Sequence, residues 1–335
     1  MKDDMRPIKE FNTSNKGVFV VCEGNFMYGN ASLSYYDKQY KTVENTVFLK
    51  ANGIPLGDVA QSLTIYDSTA YIVVNNSGKI YMIDVNNFVY KGKITGLVSP
   101  RYMQFISPSK AYVTDMYSKC IYTVNPQTSS IINTIDIATE SEQYYRHSSE
   151  EIVFCDKYMF TNSWSYNDKI LVIDTETDKL IDTITVFKQP RKIILDKNKK
   201  LWVLCDGGYD NSPYQDKSGI VKINTGNFQI EKMFELNNSS ISSDMKINFN
   251  GDTIYYIDRH IYRFHVNDNE LPTTEYINSG NKNLYALGID PYNSDLYVSD
   301  AIDFMQSGVI YRYNANKECV DTFEVGIIPN SFVFK

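Results

Sequence analysis

Seven times along this chain an alternating apolar segment closes on Asp or Asn, followed by turn residues and a second alternating segment. The segments are "LSYYDKQY", "IYMIDVNN", "IYTVNPQT", "LVIDTETD", "IVKINTGN", "IYRFHVND" and "VIYRYNAN". Their turn-opening residues are Asp37, Asp84, Asn125, Asp174, Asn224, Asn267 and Asn314, spaced by 47, 41, 49, 50, 43 and 47 positions. An Asp or Asn in that place folds its side chain onto the backbone two residues on, so each one marks a tight hairpin turn.

A second marker precedes the first in every unit. Apolar strands end in an acid or amide at "VVCE", "VVNN", "YVTD", "MFTN", "VLCD", "YYID" and "YVSD", closing on Glu23, Asn76, Asp115, Asn162, Asp206, Asp258 and Asp300. Two independent markers in fixed order, seven times over, are not a chance arrangement. Each unit has room for about four short strands, and a repeat of roughly 40 to 50 residues of this kind reads as a propeller blade.

The ends of the chain complete the pattern. The first unit, Gly17 to about Leu49, holds only three strands, while the closing "IIPNSFVFK" resembles the opening strands "SPRYMQFIS" and "QPRKIILD". The C-terminal strand is therefore expected to complete the first blade and close the ring, which removes the exposed sheet edges. The expected fold class is all-β: one seven-bladed β-propeller of four-stranded antiparallel blades over residues 17–335, with residues 1–16 as an extension or tether. The 27 tyrosines suit strands. A TIM barrel or a doubly wound sheet would need amphipathic helices, and none is evident.

The charge of −7, with Lys and Arg well dispersed, argues against nucleic acid as a partner. No apolar run approaches the roughly 20 residues of a membrane span. The opening "MKDDMRPIKEFNTSNKG" is too polar for a signal peptide. The expectation is either a cytoplasmic protein or a mature chain whose export signal has been removed. Cys22, Cys120, Cys155, Cys205 and Cys319 are widely spaced without a CxxC, so they read as buried small hydrophobes, and a thiolate metal site is not expected. A single disulfide stays open.

In a propeller the loop after the second strand of each blade and the link into the next blade share one face, around the central channel. The second-strand loop is minimal in the second blade, "NNSGK", and enlarged in the first, fourth, fifth and seventh. The enlarged loops carry Phe26, Met27 and Tyr28, then Trp164 and Tyr166, then Tyr209 and Tyr214, then Phe304 and Met305. The third and sixth blades place Tyr117 and Arg259 comparably, and the link "YYRHSSEE" adds Tyr144, Tyr145, Arg146 and His147. A Pro-Arg step recurs at Pro100-Arg101 and Pro190-Arg191. Loops on a rigid scaffold commonly bind. Tyr and Trp among Asn and Ser suit either a broad, mostly neutral ligand rich in hydrogen-bonding groups or a protein surface.

Catalysis has weak support. The ring of strand-end acids and amides could hold a divalent cation in the channel, but its presence in every blade fits a structural role better. His147, His260 and His265 stand outside any HExxH pattern, and no GxSxG or P-loop occurs. No catalytic residue and no metal ligand is assigned. The alternatives to ligand binding are a protein-interaction propeller and a metal-dependent, lactonase-like hydrolase.

With the blades laid out, the chain resembles the YncE-like propellers, and among them the BtuG-type cell-surface lipoproteins of gut Bacteroidetes. The resemblance rests on "IYMIDVNN…GKI", "LVIDTETDKLIDTI", "GVFVVCEGNFMYGNASLSYYD" and the closing "IIPNSFVFK", and it covers nearly the whole chain from Gly17. It implies a lipid-anchored protein of the outer-membrane surface that binds cobalamin, needs no cofactor, and passes its corrinoid to a TonB-dependent transporter. The lipid-bearing cysteine such proteins need is absent from residues 1–16, as expected of a trimmed chain. Tyr and Trp would pack on the corrin edge, while Arg101, Arg146, Arg191 or Arg259 would meet the phosphate.

Overall fold

The computed structural model describes residues 8–14, 16–138, 148–236 and 243–335. Its strands form seven antiparallel sheets in the order the repeat requires, each sheet but the first taking all its strands from one unit. The C-terminal strand Pro329–Phe334 pairs with Gly17–Cys22, setting Val18 opposite Phe334 and Val20 opposite Phe332. The ring is closed by joining the two ends of the chain.

The repeated turn has the expected chemistry. Asp84 Oδ1 accepts the Asn86 N–H at 2.9 Å, Asp174 Oδ1 accepts the Glu176 N–H at 3.0 Å, and Asn224 Oδ1 accepts the Gly226 N–H at 2.9 Å. Four residues after the Asp or Asn, five blades place a residue in the left-handed region: Lys41, Phe88, Ser129, Asp178 and Phe228. That conformation turns the chain into the fourth strand. Phe88 tolerates it because its ring is fully buried against Phe11 and Phe19.

The sixth blade departs from expectation twice. Its sheet has three strands, Met245–Ile247, Thr253–Asp258 and His260–His265, and the fourth is reduced to one bridge between Ile261 and Ile277. Asn267 does not open its turn; His265 does, with Nδ1 accepting the Asn267 N–H at 3.2 Å. An imidazole nitrogen replaces the amide oxygen, so a motif written for Asp or Asn lands two residues late.

Hydrophobic cores lie between neighbouring blades. One joins Phe19, Leu33, Ile72 and Ile83 of the first two blades, and another joins Phe160, Val172, Val203 and Val221 of the fourth and fifth. A short helix, Val47–Asn52, links the first blade to the second. Cys22, Cys155 and Cys205 are buried as expected, Cys120 is half-buried, and all five thiols are free. Cys319 is exposed, contrary to expectation, because it starts the outermost strand of the seventh blade.

Candidate functional site on the channel face

The strand-end acids and amides act as latches. Asp115 Oδ2 accepts the Ser99 N–H at 2.7 Å, Asp300 Oδ1 accepts the Asn283 N–H at 2.9 Å, and Asn162 Nδ2 donates to the Pro190 carbonyl at 2.6 Å. Each ties the end of a second strand to a link between blades, and so orients the loops of this face. In the second blade the latch is Asn75 rather than Asn76. Asn75 is buried and donates to Ser99 Oγ at 2.8 Å, whereas Asn76 is exposed and donates to Asp58. Both follow the last strand residue, Val74, at the start of the turn, so one position separates the two roles. Among the described residues, no three His, Cys, Asp or Glu side chains gather in a group able to hold a metal ion.

Glu23 is different. Its Oε1 accepts hydrogen bonds from Asn330 Nδ2 at 2.9 Å and Tyr285 Oη at 3.2 Å, which turns the carboxylate into the channel. Burial pushes its carboxyl above the ordinary glutamate range, against the opposing pull of Arg101, Asn330, Tyr285 and Arg191.

A cavity of about 170 Å³ opens at this point, and every blade contributes to its wall. Asn330 and Gln61 come from the innermost strands of the first two blades, and Arg101 with Tyr102 from the third. Glu150 precedes the fourth blade, Arg191 and Lys192 open the fifth, Asp244 precedes the sixth, and Tyr285 belongs to the seventh. Ion pairs organise the charges: Arg101 Nε lies 2.7 Å from Glu150 Oε2, and Lys192 Nζ lies 2.8 Å from Glu151 Oε1. Burial would lower the Lys192 ammonium, but Glu151, Tyr102 and Asp244 outweigh it and hold the group well above the usual lysine value.

The aromatic loop residues rim this cavity in two groups. Trp164 and Tyr209 meet edge-to-face at 5.9 Å, and Tyr166 lies 5.1 Å from Tyr209 and 5.8 Å from Tyr214. Trp164 lines the cavity itself, its Nε1 donating to Asp206 Oδ2 at 3.2 Å and its ring lying beneath the Arg191 guanidinium. On the opposite side Phe304 meets Tyr285 edge-to-face at 5.8 Å. Phe304 and Arg259 line an adjoining pocket of about 430 Å³ that shares Arg191 and Tyr285 with the channel cavity. Phe26 and Tyr28 are 64% and 71% exposed, and their loop is tied to the seventh blade by Asn25 Nδ2 donating to the Phe304 carbonyl at 2.7 Å.

Of the expected site residues, the structure thus gathers Trp164, Tyr166, Arg191, Tyr209 and Tyr214 on one side of the mouth, and Arg259 and Phe304 on the other. Phe26 and Tyr28 form an outlying knob. Tyr117 is half-buried on a turn capped by Asp115. Tyr145 and Arg146, with Tyr144 and His147, lie outside the described residues. Sequence reasoning missed Gln61, Tyr102, Glu150, Lys192, Asp244, Tyr285 and Asn330. One signal was available: the residue after each inner-strand proline, as in Pro100-Arg101, Pro190-Arg191 and Pro329-Asn330, reaches the channel wall.

Comparison with known families finds that the family described as "Domain of unknown function (DUF5074)" matches residues 16–335. Comparison with curated proteins finds no match. Among solved structures, a quinonprotein alcohol dehydrogenase-like protein from Bacteroides thetaiotaomicron superposes with a TM-score of 0.69 at 16% identity, covering 97% of this chain and 79% of the other. The dihydro-heme d1 dehydrogenase NirN, in complex with DHE, gives 0.65 at 12% identity, covering 98% and 77%. A candidate 6-phosphogluconolactonase from Bacteroides fragilis gives 0.64 at 10% identity, covering 96% and 98%. At these identities the likeness establishes the propeller fold.

Proposed function

The chain belongs to the DUF5074 family, and from that premise we propose that it is a non-catalytic capture propeller whose channel face binds a corrinoid. One observation carries this reading. Exposed aromatic rings stand on two sides of a channel mouth whose wall is polar. A broad ring edged with methyl groups and amides matches both features: Trp164, Tyr166, Tyr209 and Phe304 meet its apolar edge, and the polar wall meets its amides. The fixed latches beneath the loops support binding with little reorganisation, which limits the entropy cost.

The same reading places the chain at the cell surface, where it hands its ligand to a TonB-dependent outer-membrane transporter. Support for that step comes from the hairpin resemblance to surface lipoproteins. The exposed knob of Phe26, Met27 and Tyr28 offers a contact surface outside the ligand basin.

Calorimetry with cyanocobalamin tests the ligand. The expected outcome is a single site, weakened about tenfold or more by Trp164→Ala combined with Tyr166→Ala. No binding at micromolar protein, or unchanged affinity in the double variant, overturns the reading. Binding of an oligosaccharide, or of a protein at the same face, would replace the corrinoid with that partner.

A further inference from the structure

The channel cavity has more hydrogen-bonding capacity than the protein itself uses. Arg101 donates from Nε to Glu150 Oε2 at 2.7 Å, and Arg191 donates from Nε to the Ser243 carbonyl at 3.1 Å. The nearest acidic oxygen to Arg191 Nη1, Asp206 Oδ2, is 3.6 Å away, beyond a hydrogen bond. Both guanidinium groups therefore present their terminal nitrogens to the cavity without a hydrogen bond to any described residue. On the acceptor side, Glu150 Oε1, Asn330 Oδ1 and Ser243 Oγ have no partner among the described residues, but each is accessible over less than 1 Å², so an occupant of the cavity meets the guanidinium ends rather than these oxygens.

The chemistry of the wall restricts that occupant. Two guanidinium ends suit a phosphate or carboxylate, whose oxygens accept several N–H bonds at once. Trp164, Tyr102 and Tyr285 supply ring faces and edges suited to a small saturated ring. The carboxylates nearest the cations are already paired, which limits the repulsion a bound anion meets. At about 170 Å³ the cavity is close to the roughly 150 Å³ that holds a benzene, far too small for a macrocycle.

We propose that the channel cavity seats a sugar-phosphate group, with Arg101 and Arg191 on the phosphate and the sugar ring among Trp164, Tyr102 and Tyr285. Two sources carry this chemistry: the nucleotide loop of a corrinoid whose ring rests on the aromatic rim, which rests on the capture reading above, or a free sugar phosphate, which does not.

The test compares cyanocobalamin, cobinamide (which lacks the nucleotide loop) and ribose 5-phosphate by calorimetry on the full chain. If the corrinoid is the source, cyanocobalamin binds about tenfold or more tightly than cobinamide, and the gap closes in Arg191→Met. Arg101→Met serves as the second variant, with thermal melts confirming that both fold. If ribose 5-phosphate binds in an Arg191-dependent manner while neither corrinoid binds, the seat stands and the corrinoid reading falls. Equal affinity for cyanocobalamin and cobinamide, without ribose 5-phosphate binding, overturns the seat and leaves corrinoid capture intact. A preference for cyanocobalamin that survives both substitutions also overturns the seat.

Discussion

Lys38 Nζ lies 2.6 Å from Asp290 Oδ2 and bridges the first and seventh blades across the seam where the ring closes. The lysine side chain is 10% exposed and the aspartate is fully buried. The ammonium also faces the rings of Tyr292 and Phe334, the latter on the closing strand. Lys38→Met leaves the Asp290 charge buried without its cation. The expected loss is about 3–5 kcal/mol in urea unfolding, and Lys38→Met combined with Asp290→Asn should recover part of it.

Glu23 sets a pH dependence whose sign follows from its burial. Its folded carboxyl titrates above the ordinary glutamate value of 4.5, so its contribution to stability is fully present below that pH and is lost as pH rises through the folded value. Glu23→Gln removes this loss. Thermal melts should show the variant and the parent differing little below pH 4.5, with the variant gaining relative stability toward neutral pH. A difference that does not change with pH would show that burial of Glu23 has no energetic consequence.

The five thiols should separate by exposure. Cys319 is exposed and Cys120 half-buried, while burial pushes the Cys22 thiol up to about 12 and the Cys205 thiol well above its ordinary value. An aromatic disulfide reagent at neutral pH should label Cys319 fast and Cys120 slowly. Cys22, Cys155 and Cys205 should react only after denaturation.

The two tryptophans should respond differently to acrylamide. Trp202 is 0% exposed, with Nε1 donating to Asp196 Oδ2 at 2.9 Å, whereas Trp164 stands at the channel mouth. Fluorescence quenching should be partial in the parent chain and nearly absent in Trp164→Phe. Efficient quenching in that variant would mean that the core around Trp202 opens to solvent.

The blade repeat was legible because its signals are local. An Asp84 or Asp174 side chain meets a backbone N–H two residues away, so composition within one short segment reports the turn. Local reading failed where one position or one atom type changed the outcome. "VVNN" offers two adjacent amides, and only the direction of Asn75 into the blade distinguishes it from exposed Asn76. In "IYRFHVND" the turn acceptor is an imidazole nitrogen, so Asn267 carried the expected letter while His265 does the capping.

The candidate site divides in the same way. Trp164, Tyr166, Tyr209 and Tyr214 were recognisable because large aromatics in lengthened, polar loops have no local structural role that demands them. The channel wall was not recognisable, since each blade supplies one or two polar residues from its innermost strand or the segment beside it, and neighbouring contributors lie tens of positions apart in sequence. Within its own segment, Arg101, Glu150 or Tyr285 is an ordinary polar residue. Alternation and turn chemistry are properties of a few consecutive residues, so they carry the blade, its count and the closing strand. The pairing of Arg101 with Glu150, the turning of Glu23 toward Tyr285 and the convergence of Arg101 and Arg191 on one cavity exist only when the ring closes and brings seven distant strands around one axis.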